Sequence, residues 1–460
     1  MAKAKKKKLS LKELLEEAIV KEEDRPYEVP ENWVWTRLKG IISEIKNGTT
    51  IKQNKEKQGV MVTRIESIQK NRIDLNRIGY ISDTSKIKET DWYNINDIAL
   101  SHINSAEHVG KTAIITEELL PLVHGMNLLR LRFNMACDPK YFFYFSQSFE
   151  YKNSILERIN MAVNQVSINQ KQISDIPFPL SPSVEQQRIV EVIESLFKKL
   201  DAAKELVENA LDSFKNRKAA ILHKAFAGEL TAKWREENGV SFNEWEEKEL
   251  DELCTSFQYG TSKKSETSGD VAVLRMGNMQ GGEFIWDKLV YTSDEEDIKK
   301  YLLKSGDVLF NRTNSPELVG KTSIYRGELP AIFAGYLIRI NYKACLIGEY
   351  LNYVLNSPKA RCYCNEVKSD GVNQSNINAK KLAQFKIPFC SLKEQQEIVR
   401  ILDNLLGNEQ RAKELCDVIE KIDLMKKAIL AKAFRGELGT NNPEEESAVE
   451  LLKEVLKEKL

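Results

Sequence analysis

The chain has 460 residues, and 42% of them are hydrophobic, which predicts two or more domains that each bury a core. Its charged residues make up 30% and sum to a formal net charge of zero. That balance argues against a protein that coats nucleic acid indiscriminately, but it leaves room for a sequence reader with local basic faces. No apolar run approaches the roughly 18 residues that a membrane span needs.

Residues 1–25 are predicted to form an N-terminal helical segment. Its basic start precedes a stretch in which leucine alternates with glutamate and lysine, so the apolar core of a signal peptide is missing. Seven cysteines without regular spacing fit a reducing compartment, and with four scattered histidines they complete no metal site. We therefore expect a cytoplasmic protein that holds no metal.

Residues 26–180 are predicted to form a globular head of mixed α/β structure. The stretches 60–65 and 97–100 have the composition of strands, and 141–149 has the pattern of a helix with one apolar face. The head ends in an extended exit that contains Pro177, Pro179 and Pro182, because proline disfavours helix at the residue before it.

Residues 183–239 are predicted to form a central helical region. Between 186 and 225 the apolar residues recur at alternating spacings of three and four, a heptad pattern that only Arg217 interrupts. A helix of about 40 residues spans about 60 Å. The members of the apolar stripe are Ile189, Ile193, Leu196, Leu200, Ala203, Val207, Ala210, Phe214 and Ile221.

The second half follows the same plan. Residues 240–390 are predicted to form a second head, with strands at 271–276 and 307–310, a helix at 348–356 and an extended exit at Pro388. Residues 391–439 are predicted to form a C-terminal helical region, with a heptad stripe from Ile398 to Ala433, and 440–460 a charged C-terminal helix.

The halves are repeats of one another. Val-Asn-Gln at 163–165 returns at 372–374, a shift of 209 residues (374 − 165), and Glu-Gln-Gln at 185–187 returns at 394–396 with the same shift. The period is far longer than the roughly 20 to 50 residues of a solenoid repeat, so whole domains were duplicated. Trp33 matches Trp245, which predicts that the two chain ends meet where the other half has a continuous linker.

Each heptad stripe would expose its apolar residues to water if it stood alone, and the nearest complementary stripe is its own duplicate. A pseudo-twofold axis perpendicular to the helices makes their pairing antiparallel. The predicted fold is therefore α+β: two globular mixed α/β domains separated by two long helices that form an intramolecular antiparallel coiled coil. The alternative is two separate core helices inside two bundles.

The Gly-Lys-Thr triplets at 110–112 and 320–322 suggest a phosphate-binding loop. That motif needs a further glycine five residues before its second one, and these positions hold Ser105 and Ser315. We therefore exclude ATP binding there. Lys111 and Lys321 stay candidates for a nucleic-acid phosphate contact, and the alternative is a solvated lysine after a turn glycine.

Catalytic motifs are missing from the sequence. The chain has no Pro-Pro pair for the turn of an amino-methyltransferase, no His-Glu-x-x-His, no Gly-x-Ser-x-Gly and no histidine repeated between the halves. The polar residues that do recur are asparagine, glutamine, lysine, arginine and serine. These side chains bind rather than catalyse.

The recurring polar residues are those that read base edges in DNA. They lie in matching loops whose sequences differ, so the two heads should read different sequences. The Val-Asn-Gln turn precedes a predicted helix N-terminus, which can bind phosphate; the alternative is a turn that satisfies its own backbone. The DNA-binding candidates are Lys46, Thr49, Thr50, Lys52, Arg64, Asn104, Ser105, Lys111, Gln165, Thr261, Lys263, Lys264, Arg275, Asn314, Ser315, Lys321 and Gln374.

The whole chain resembles the specificity subunits of Type I restriction–modification enzymes. The carriers are Ile-Pro-Phe-Pro-Leu-Ser-Pro-Ser-Val-Glu-Gln-Gln-Arg-Ile-Val at 176–190, its counterpart at 387–399, and Lys-Ala-Phe-x-Gly-Glu-Leu at 224–230 and 432–438. The resemblance implies two target-recognition domains, each reading one half of a bipartite target in double-stranded DNA, and a helical spacer between them. It also implies two docked methyltransferase subunits and, through the complex, restriction subunits.

Under that resemblance the chain itself is not an enzyme. S-adenosylmethionine, ATP and magnesium belong to the partner subunits. Two other classes remain open on the residues alone. A stand-alone methyltransferase or nuclease would bind S-adenosylmethionine tightly, or cut DNA with a metal, as the pure chain. A DNA-free two-headed scaffold would bind proteins regardless of duplex sequence.

Overall fold

The computed structural model describes residues 10–162, 165–371, 374–407, 409–458 and 460. The chain divides into two compact units. The first unit comprises the chain up to residue 206 together with 418–460, and the second comprises 207–417. Each boundary falls within one of the two heptad stretches, so both stretches contribute to both units.

The helices and strands follow in chain order. The helices are α1 Leu11–Ala18, α2 Leu38–Ile41, α3 Pro139–Phe145, α4 Phe149–Leu156, α5 Gln170–Ser174, α6 Ser183–Phe226, α7 Ala232–Asn238, α8 Leu250–Leu253, α9 Glu295–Tyr301, α10 Gly348–Leu355, α11 Pro358–Val367, α12 Ala379–Ala383, α13 Leu392–Leu406, α14 Glu409–Phe434 and α15 Ala448–Lys457. The strands up to α6 are β1 Val34–Arg37, β2 Ile42–Asn47, β3 Val60–Val62, β4 Ile68–Gln69, β5 Arg72–Ile73, β6 Gly79–Ile81, β7 Ile98–Ser101, β8 Ile103–Asn104, β9 Thr112–Ile114, β10 Leu128–Phe133, β11 Asn160–Ala162, β12 Gln165–Ser167 and β13 Pro177–Leu180. The later strands are β14 Glu246–Glu249, β15 Cys254–Tyr259, β16 Val271–Leu274, β17 Met279–Gln280, β18 Glu283–Phe284, β19 Tyr291–Thr292, β20 Val308–Asn311, β21 Thr313–Asn314, β22 Thr322–Ile324, β23 Ala331–Phe333, β24 Leu337–Tyr342, β25 Ser369–Asp370, β26 Ser375–Asn376 and β27 Lys386–Phe389.

A four-stranded antiparallel sheet in the order β2-β10-β7-β9 forms the centre of the first head. Strand β7 is buried along its whole length, because both faces of the sheet are covered. Ile98 and Leu100 point into the main core beside the helices, whereas Ala99 joins a second core on the opposite face. The period of two residues in a strand produces this division.

The second head repeats this sheet as β15-β24-β20-β22. Val308 and Phe310 of β20 face the helix side, and Leu309 faces the opposite core. Each head is closed by a two-stranded antiparallel pair, β1 with β13 and β14 with β27. The proline-rich exits are thus edge strands, where proline is tolerated because one side of the strand lacks a partner.

The Glu-Gln-Gln repeat locks the helices onto the heads. The amide nitrogen Nε2 of Gln186 donates to the carbonyls of Ala136 and Ser181 at 2.9 Å each. In the second unit Gln395 Nε2 donates likewise to Cys345 and Cys390, at 3.0 and 2.9 Å. These buried glutamines satisfy loop carbonyls that would otherwise lack partners, which explains why this motif is kept in both halves.

The glutamates beside them bind the repeated tryptophans. Trp33 Nε1 donates to Glu185 at 2.7 Å, and Trp245 Nε1 donates to Glu394 at 2.9 Å. Glu394 also accepts from Arg235 at 2.6 Å, and both residues are buried. The matching tryptophans of the sequence therefore mark equivalent places in the two units.

The Gly-Glu-Leu repeats end the helices. Gly228 has a φ of +77° and Gly436 a φ of +74°, conformations that side-chain-bearing residues rarely adopt. The amide of Glu229 then bonds back to the carbonyl of Lys224 at 2.9 Å, and Glu437 bonds back to Lys432 at 2.8 Å. This hydrogen bond is the mark of a Schellman termination, for which glycine is the preferred residue.

The long helices pair antiparallel. Within the first unit, Lys204 bonds to Asp423 at 2.9 Å and Lys426 to Asp201 at 2.5 Å. Residue numbers therefore increase along one helix where they decrease along the other. Within the second unit, Leu222 of α6 shares a core with Leu402 of α13. The predicted pairing of each stripe with its duplicate is confirmed, and the alternative of unrelated bundles is wrong.

Some elements differ from the sequence predictions. The second long helix is divided into α13 and α14 around Gly407, since glycine destabilises a helix interior by about 1 kcal/mol. The helix predicted at 141–149 is two helices, because Ser148 caps α4 through a bond from the amide of Tyr151. The strand predicted at 60–65 ends at Val62 and that at 271–276 ends at Leu274, each followed by a short 3-10 turn.

The chain ends meet within the first unit. Helices α1 and α15 pack together, and the amide of Ala448 donates to the carbonyl of Asn32 at 2.9 Å. At the corresponding place the second unit has the continuous linker through α7. Within the described residues, no helix is long and apolar enough to cross a membrane, and no group of histidine, cysteine and carboxylate side chains is arranged to hold a metal ion.

Candidate nucleic-acid interface

A polar cleft of about 280 Å³ lies on the first head. The loop after β2 supplies Thr50 and Lys52, the turn after β3 supplies Arg64, and the loop before β10 supplies Met126 and Asn127. Thr50 and Lys52 are exposed, whereas Arg64 is half-buried. The structure therefore brings three of the predicted DNA-binding residues to one concave surface, although they are separated along the chain.

A second cleft of about 210 Å³ adjoins the first. Asn104 and Lys111 line it together with Ser101, and Ile65 and Glu66 line both clefts. We call the joined surface the first-head face, defined by Thr50, Lys52, Arg64, Asn104 and Lys111. It combines amide, hydroxyl and cationic groups, of which Thr50 and Lys52 are exposed, and these are the groups that contact phosphates and base edges.

The cations of the first head differ in their availability. Lys52 is exposed, whereas Arg64 Nε donates to Glu66 at 2.8 Å. Lys111 Nζ lies 2.5 Å from His108 Nδ1. Lys46 is turned elsewhere, because its Nζ donates to the carbonyl of Thr90 at 2.9 Å and lies 3.8 Å from Asp91.

Several predicted residues of the first head stabilise their own loops. Thr49 donates its amide to the carbonyl of His124 at 2.8 Å, and its hydroxyl accepts from the amide of Ile51 at 3.4 Å. Asn104 accepts from the amide of Ser105 at 2.9 Å. Gln165 is exposed at the start of β12, which pairs with β8 and so lies beside Asn104.

The second head presents fewer free groups among its predicted residues. Thr261 is buried and its hydroxyl donates to Asp297. Lys263 Nζ bonds to Asp294 at 2.7 Å, so its charge is compensated within the head. Lys264 is exposed, and Arg275 is exposed while its Nη2 donates to the carbonyl of Lys288 at 3.0 Å.

The remaining predicted residues of the second head lie around β21 and β26. Asn314 accepts from the amide of Ser315 at 2.8 Å, as its counterpart does in the first head. Lys321 is half-buried, and burial together with the nearby charge of Arg361 lowers its pKa. Gln374 is exposed beside the start of β26. The asparagines 164 and 373 of the Val-Asn-Gln triplets lie outside the described residues.

The Gly-Lys-Thr triplets have a structural explanation. Gly110 has a φ of +79° and Gly320 a φ of +91°. A Cβ at Gly110 would lie 2.9 Å from Ile155, and one at Gly320 would lie 2.6 Å from Cys364. Only glycine therefore fits the return from this loop to the sheet. The triplet recurs because both heads make the same tight turn.

Two residues that the sequence pattern does not single out occupy equivalent places in the two heads. His102 connects β7 to β8, and Arg312 connects β20 to β21. Both are half-buried. Polar residues that recur between the halves are visible in the sequence. These two positions have different side chains in the two halves and therefore do not appear as a repeat. The signal that marks them is variation on a repeated framework.

The family model for the Type I restriction modification DNA specificity domain matches residues 30–210 and again 243–421. The chain belongs to this family. A specificity subunit relative from Methanocaldococcus jannaschii, a putative type I restriction enzyme subunit, is 31% identical over 429 residues, covering 89% of this chain and 95% of the relative. The specificity subunit of the EcoKI type I restriction enzyme from Escherichia coli is 25% identical over 454 residues, covering 94% and 96%.

A solved structure shares the fold of this specificity subunit. A chain from a type I R-M system, described in relation to complex assembly and conformational transition, matches with a TM-score of 0.64 at 18% identity. The match covers 90% of this chain and 100% of that one. The expectation from the sequence, a Type I specificity subunit for DNA target recognition with a duplicated two-domain α+β fold, is confirmed.

Proposed function

We propose that each head of this specificity subunit reads one half of a bipartite target in double-stranded DNA. The observation that carries the proposal is the repeated scaffold with different side chains on it. In the first head β12 pairs with β8 through Val166 and Asn104, and in the second β26 pairs with β21 in the same register through Ser375 and Asn314. An identical framework with different exposed residues suits two readers of unlike sequences.

The two long helices act as the spacer between the half-sites. Helix α6 has 44 residues and runs without interruption from one unit into the other. At 1.5 Å per residue its length is about 66 Å. The antiparallel partner stiffens it, since each helix covers part of the apolar stripe of the other. The bases between the half-sites are therefore spanned but not read.

The helices also dock two methyltransferase subunits. Large apolar side chains remain exposed on them, among them Leu206 at 71%, Leu424 at 61% and Met425 at 52%. Groups of exposed apolar side chains suit a surface that a partner covers. Because the helical regions are repeated within the chain, we propose that two methyltransferase subunits dock per chain, with restriction subunits joining through the complex.

The chain itself is not catalytic in this proposal. Its repeated polar side chains support hydrogen bonding to DNA, and S-adenosylmethionine, ATP and magnesium act on the partner subunits. We propose that the chain acts in the cytoplasm, where it can bind its DNA target directly.

A head exchange tests the proposal. The chain is assembled with the methyltransferase of its own system, and residues 26–180 are replaced by the first head of another family member. Mapping of methylated adenines by sequencing should show one new half-site and one unchanged half-site. A simultaneous change of both half-sites would show that the heads do not read independently.

The purified chain separates the other functional classes. Tight binding of S-adenosylmethionine, or metal-dependent cutting of DNA, by the chain without partners would contradict a non-catalytic role. Co-purification of one methyltransferase subunit per chain with full target affinity would contradict the two-site docking. Binding to partner proteins with no preference for any duplex sequence would favour a scaffold.

A further inference from the structure

His102 and Arg312 occupy one equivalent position in the two heads. The carbonyl of His102 accepts from the amide of Ile168 at 2.9 Å, and the carbonyl of Arg312 accepts from the amide of Ile377 at 2.9 Å. In both heads the residue follows the last residue of the long central strand and precedes the short strand of the three-stranded sheet. The backbone there is the same, and only the side chain differs.

Both side chains contain a buried nitrogen without a hydrogen-bond partner. These atoms are Nδ1 of His102 and Nε of Arg312. A buried polar atom left without a partner costs about 1 to 3 kcal/mol, and such atoms are rare in native proteins. At the same place in both heads, the side chain therefore has hydrogen-bonding capacity that the head itself does not use fully.

The guanidinium of Arg312 is oriented by two neighbouring groups, the Tyr259 ring and the Gly335 carbonyl. Its guanidinium carbon lies 4.8 Å from the centre of the Tyr259 ring, and Nη1 donates weakly to the carbonyl of Gly335 at 3.4 Å. Tyr259 is fixed in turn, since its hydroxyl accepts from the amide of Ala379 at 3.0 Å. Stacking on an aromatic ring orients the guanidinium without neutralising its charge.

Neighbouring arginines of the same head are used differently. Arg339 bonds to Asp307 at 3.1 Å, and Arg326 bonds to Glu283 at 2.9 Å. Within the part of the chain that the structure describes, Arg312 has no carboxylate in salt-bridge range. It is thus an oriented cation whose charge the head leaves uncompensated.

His102 lies between the two clefts of the first-head face. Its neighbour Ser101 lines one cleft, and Asn127, whose backbone hydrogen-bonds the imidazole, lines the other. Burial lowers the pKa of His102, so the ring is neutral at neutral pH. A neutral imidazole has one donor nitrogen and one acceptor nitrogen, whereas a guanidinium only donates.

We propose that His102 and Arg312 are the specificity-determining residues at this shared position, and that Arg312 contacts a guanine in the half-site of the second head. The inference rests on the proposed reading of one half-site by each head. A guanidinium edge matches the O6 and N7 acceptors of guanine in the major groove, and this bidentate pair is the commonest specific contact of arginine. His102, with different hydrogen-bonding groups, selects a different base in the first half-site.

Base reading is favoured over phosphate contact for both residues. Phosphate contacts can be made by exposed cations, and Lys52 and Lys264 are examples on these heads. His102 and Arg312 are instead half-buried and oriented by neighbouring groups. A side chain must have a fixed orientation to distinguish one base from another, whereas a cation can attract a phosphate without one.

The test is the methylation pattern of the assembled methyltransferase carrying Arg312→Gln, Arg312→His or His102→Arg. Arg312→Gln should weaken methylation of the native target by about 10- to 100-fold and relax or change one base of the second half-site only. His102→Arg should change one base of the first half-site only. The matched control is Arg326→Gln, an arginine of the same head paired with Glu283, which should leave the target unchanged.

Two results would overturn the inference while leaving the proposed function intact. One is a wild-type bipartite pattern in all three variants. The other is a uniform loss of methylation over all sequences, which would indicate a phosphate contact. A wild-type assembly without any sequence preference would instead contradict the proposed function itself. Circular dichroism of each variant confirms that the fold is retained.

Discussion

At the scale of single residues, the two halves satisfy an equivalent buried carboxylate with different partners. Glu185 and Glu394 are both buried beneath a repeated tryptophan. Glu394 is compensated by the guanidinium of Arg235, whereas Glu185 accepts from the neutral side chains of Asn441 and Thr440, at 2.9 and 3.3 Å. The glutamate is the same in both halves, but its partners differ. In the second unit the partner comes from the linker between the halves, and in the first unit the partners come from the C-terminal part of the chain.

This difference predicts unequal effects of removing the carboxylates. Glu394→Ala should lower the free energy of unfolding by about 3 to 5 kcal/mol, because it leaves the buried charge of Arg235 uncompensated. Glu185→Ala should cost less, about 1.5 to 3 kcal/mol, because only neutral donors lose their acceptor. Denaturant unfolding followed by tryptophan fluorescence measures both.

The control for this pair is Glu397→Ala. Glu397 lies in the same helix as Glu394 and is half-buried, but its partner Arg400 is exposed, so its removal leaves no buried cation without a partner. A change within about 0.5 kcal/mol is expected there. An equal loss of stability in all three variants would contradict the special role of the buried pair.

A buried histidine predicts acid sensitivity of the first unit. Burial lowers the pKa of His124 to about 3, with the nearby charge of Arg130 acting in the same direction, although the carbonyl of Leu128 opposes it. The folded state therefore binds a proton less readily than the unfolded state, whose histidine has a pKa of about 6.5. Stability should fall as the pH drops below about 6.5, by about 1.4 kcal/mol per pH unit until the folded-state pKa is approached.

The variant His124→Ala tests this, because it removes the ring that would have to take up the proton. The variant should be less stable at neutral pH, because it loses the packing of the ring and the bond to Leu128 at 3.1 Å. Its unfolding midpoint should nevertheless decline less between pH 6.5 and 4.5 than that of the wild type. Parallel pH profiles for the two proteins would contradict the assignment to His124.

At the scale of elements, the two long helices combine buried and exposed apolar residues. Ile193 is fully buried where α6 crosses the first head, whereas Leu206, thirteen residues further along (206 − 193), is 71% exposed. A heptad pattern therefore marks an apolar stripe without revealing which part of it the partner helix covers. The exposed part is the part that we assign to methyltransferase docking.

Charged substitutions test that assignment. Leu206→Glu and Leu424→Glu should leave the unfolding free energy within about 0.5 kcal/mol of wild type, because both side chains are exposed. They should weaken association with the methyltransferase subunit at least tenfold, because a carboxylate would be desolvated in the interface. Size-exclusion chromatography with light scattering gives the stoichiometry, and titration gives the affinity.

Leu329→Glu is the matched control for surface charge, since Leu329 is 47% exposed on the second head and lies outside the helices. It should assemble normally. Ile193→Ala is the opposite control and should lose about 2 to 5 kcal/mol of stability through the cavity that it creates. Unchanged assembly of both helix variants would place the docking surface elsewhere.

At the scale of the whole molecule, the repeated plan predicts that spacing and reading are separable. Four residues inserted after Leu230, between the end of α6 and α7, should lengthen the preferred spacer between the half-sites. Four helix-forming residues there extend the start of α7 by about one turn, or about 6 Å, which corresponds to roughly two base pairs. Methylation mapping should therefore show both half-site sequences unchanged and the distance between them increased.

The same four residues inserted after Gly439 are the matched control. Gly439 follows the end of α14, where only α15 comes after it. An added Cβ would meet no atom within 4 Å there, so the site is spacious. The spacer should stay unchanged in that variant. An unchanged spacer in the Leu230 variant, with activity retained, would show that the helices do not set the distance.

The sequence by itself determined the architecture. Composition and periodicity depend on local geometry, which every residue of an element shares. The composition therefore predicts strands such as β7 and β20, and the spacing of apolar residues predicts the long helix α6. The duplication then implied antiparallel helix pairing and meeting chain ends without further information. It also placed Thr50, Lys52, Arg64, Asn104 and Lys111 among the candidates that the fold gathers on one face.

Only the tertiary structure decided which polar groups are available. Thr261 matches Thr49 in sequence and Lys263 lies in the same loop, yet Thr261 is bound by Asp297 and Lys263 by Asp294. The sequence repeat does not reveal His102 and Arg312, because the two residues differ. The fold nevertheless gives them equivalent places and leaves each with an unpaired nitrogen. Whether a side chain is compensated depends on residues distant in the chain, and periodicity carries no information about those contacts.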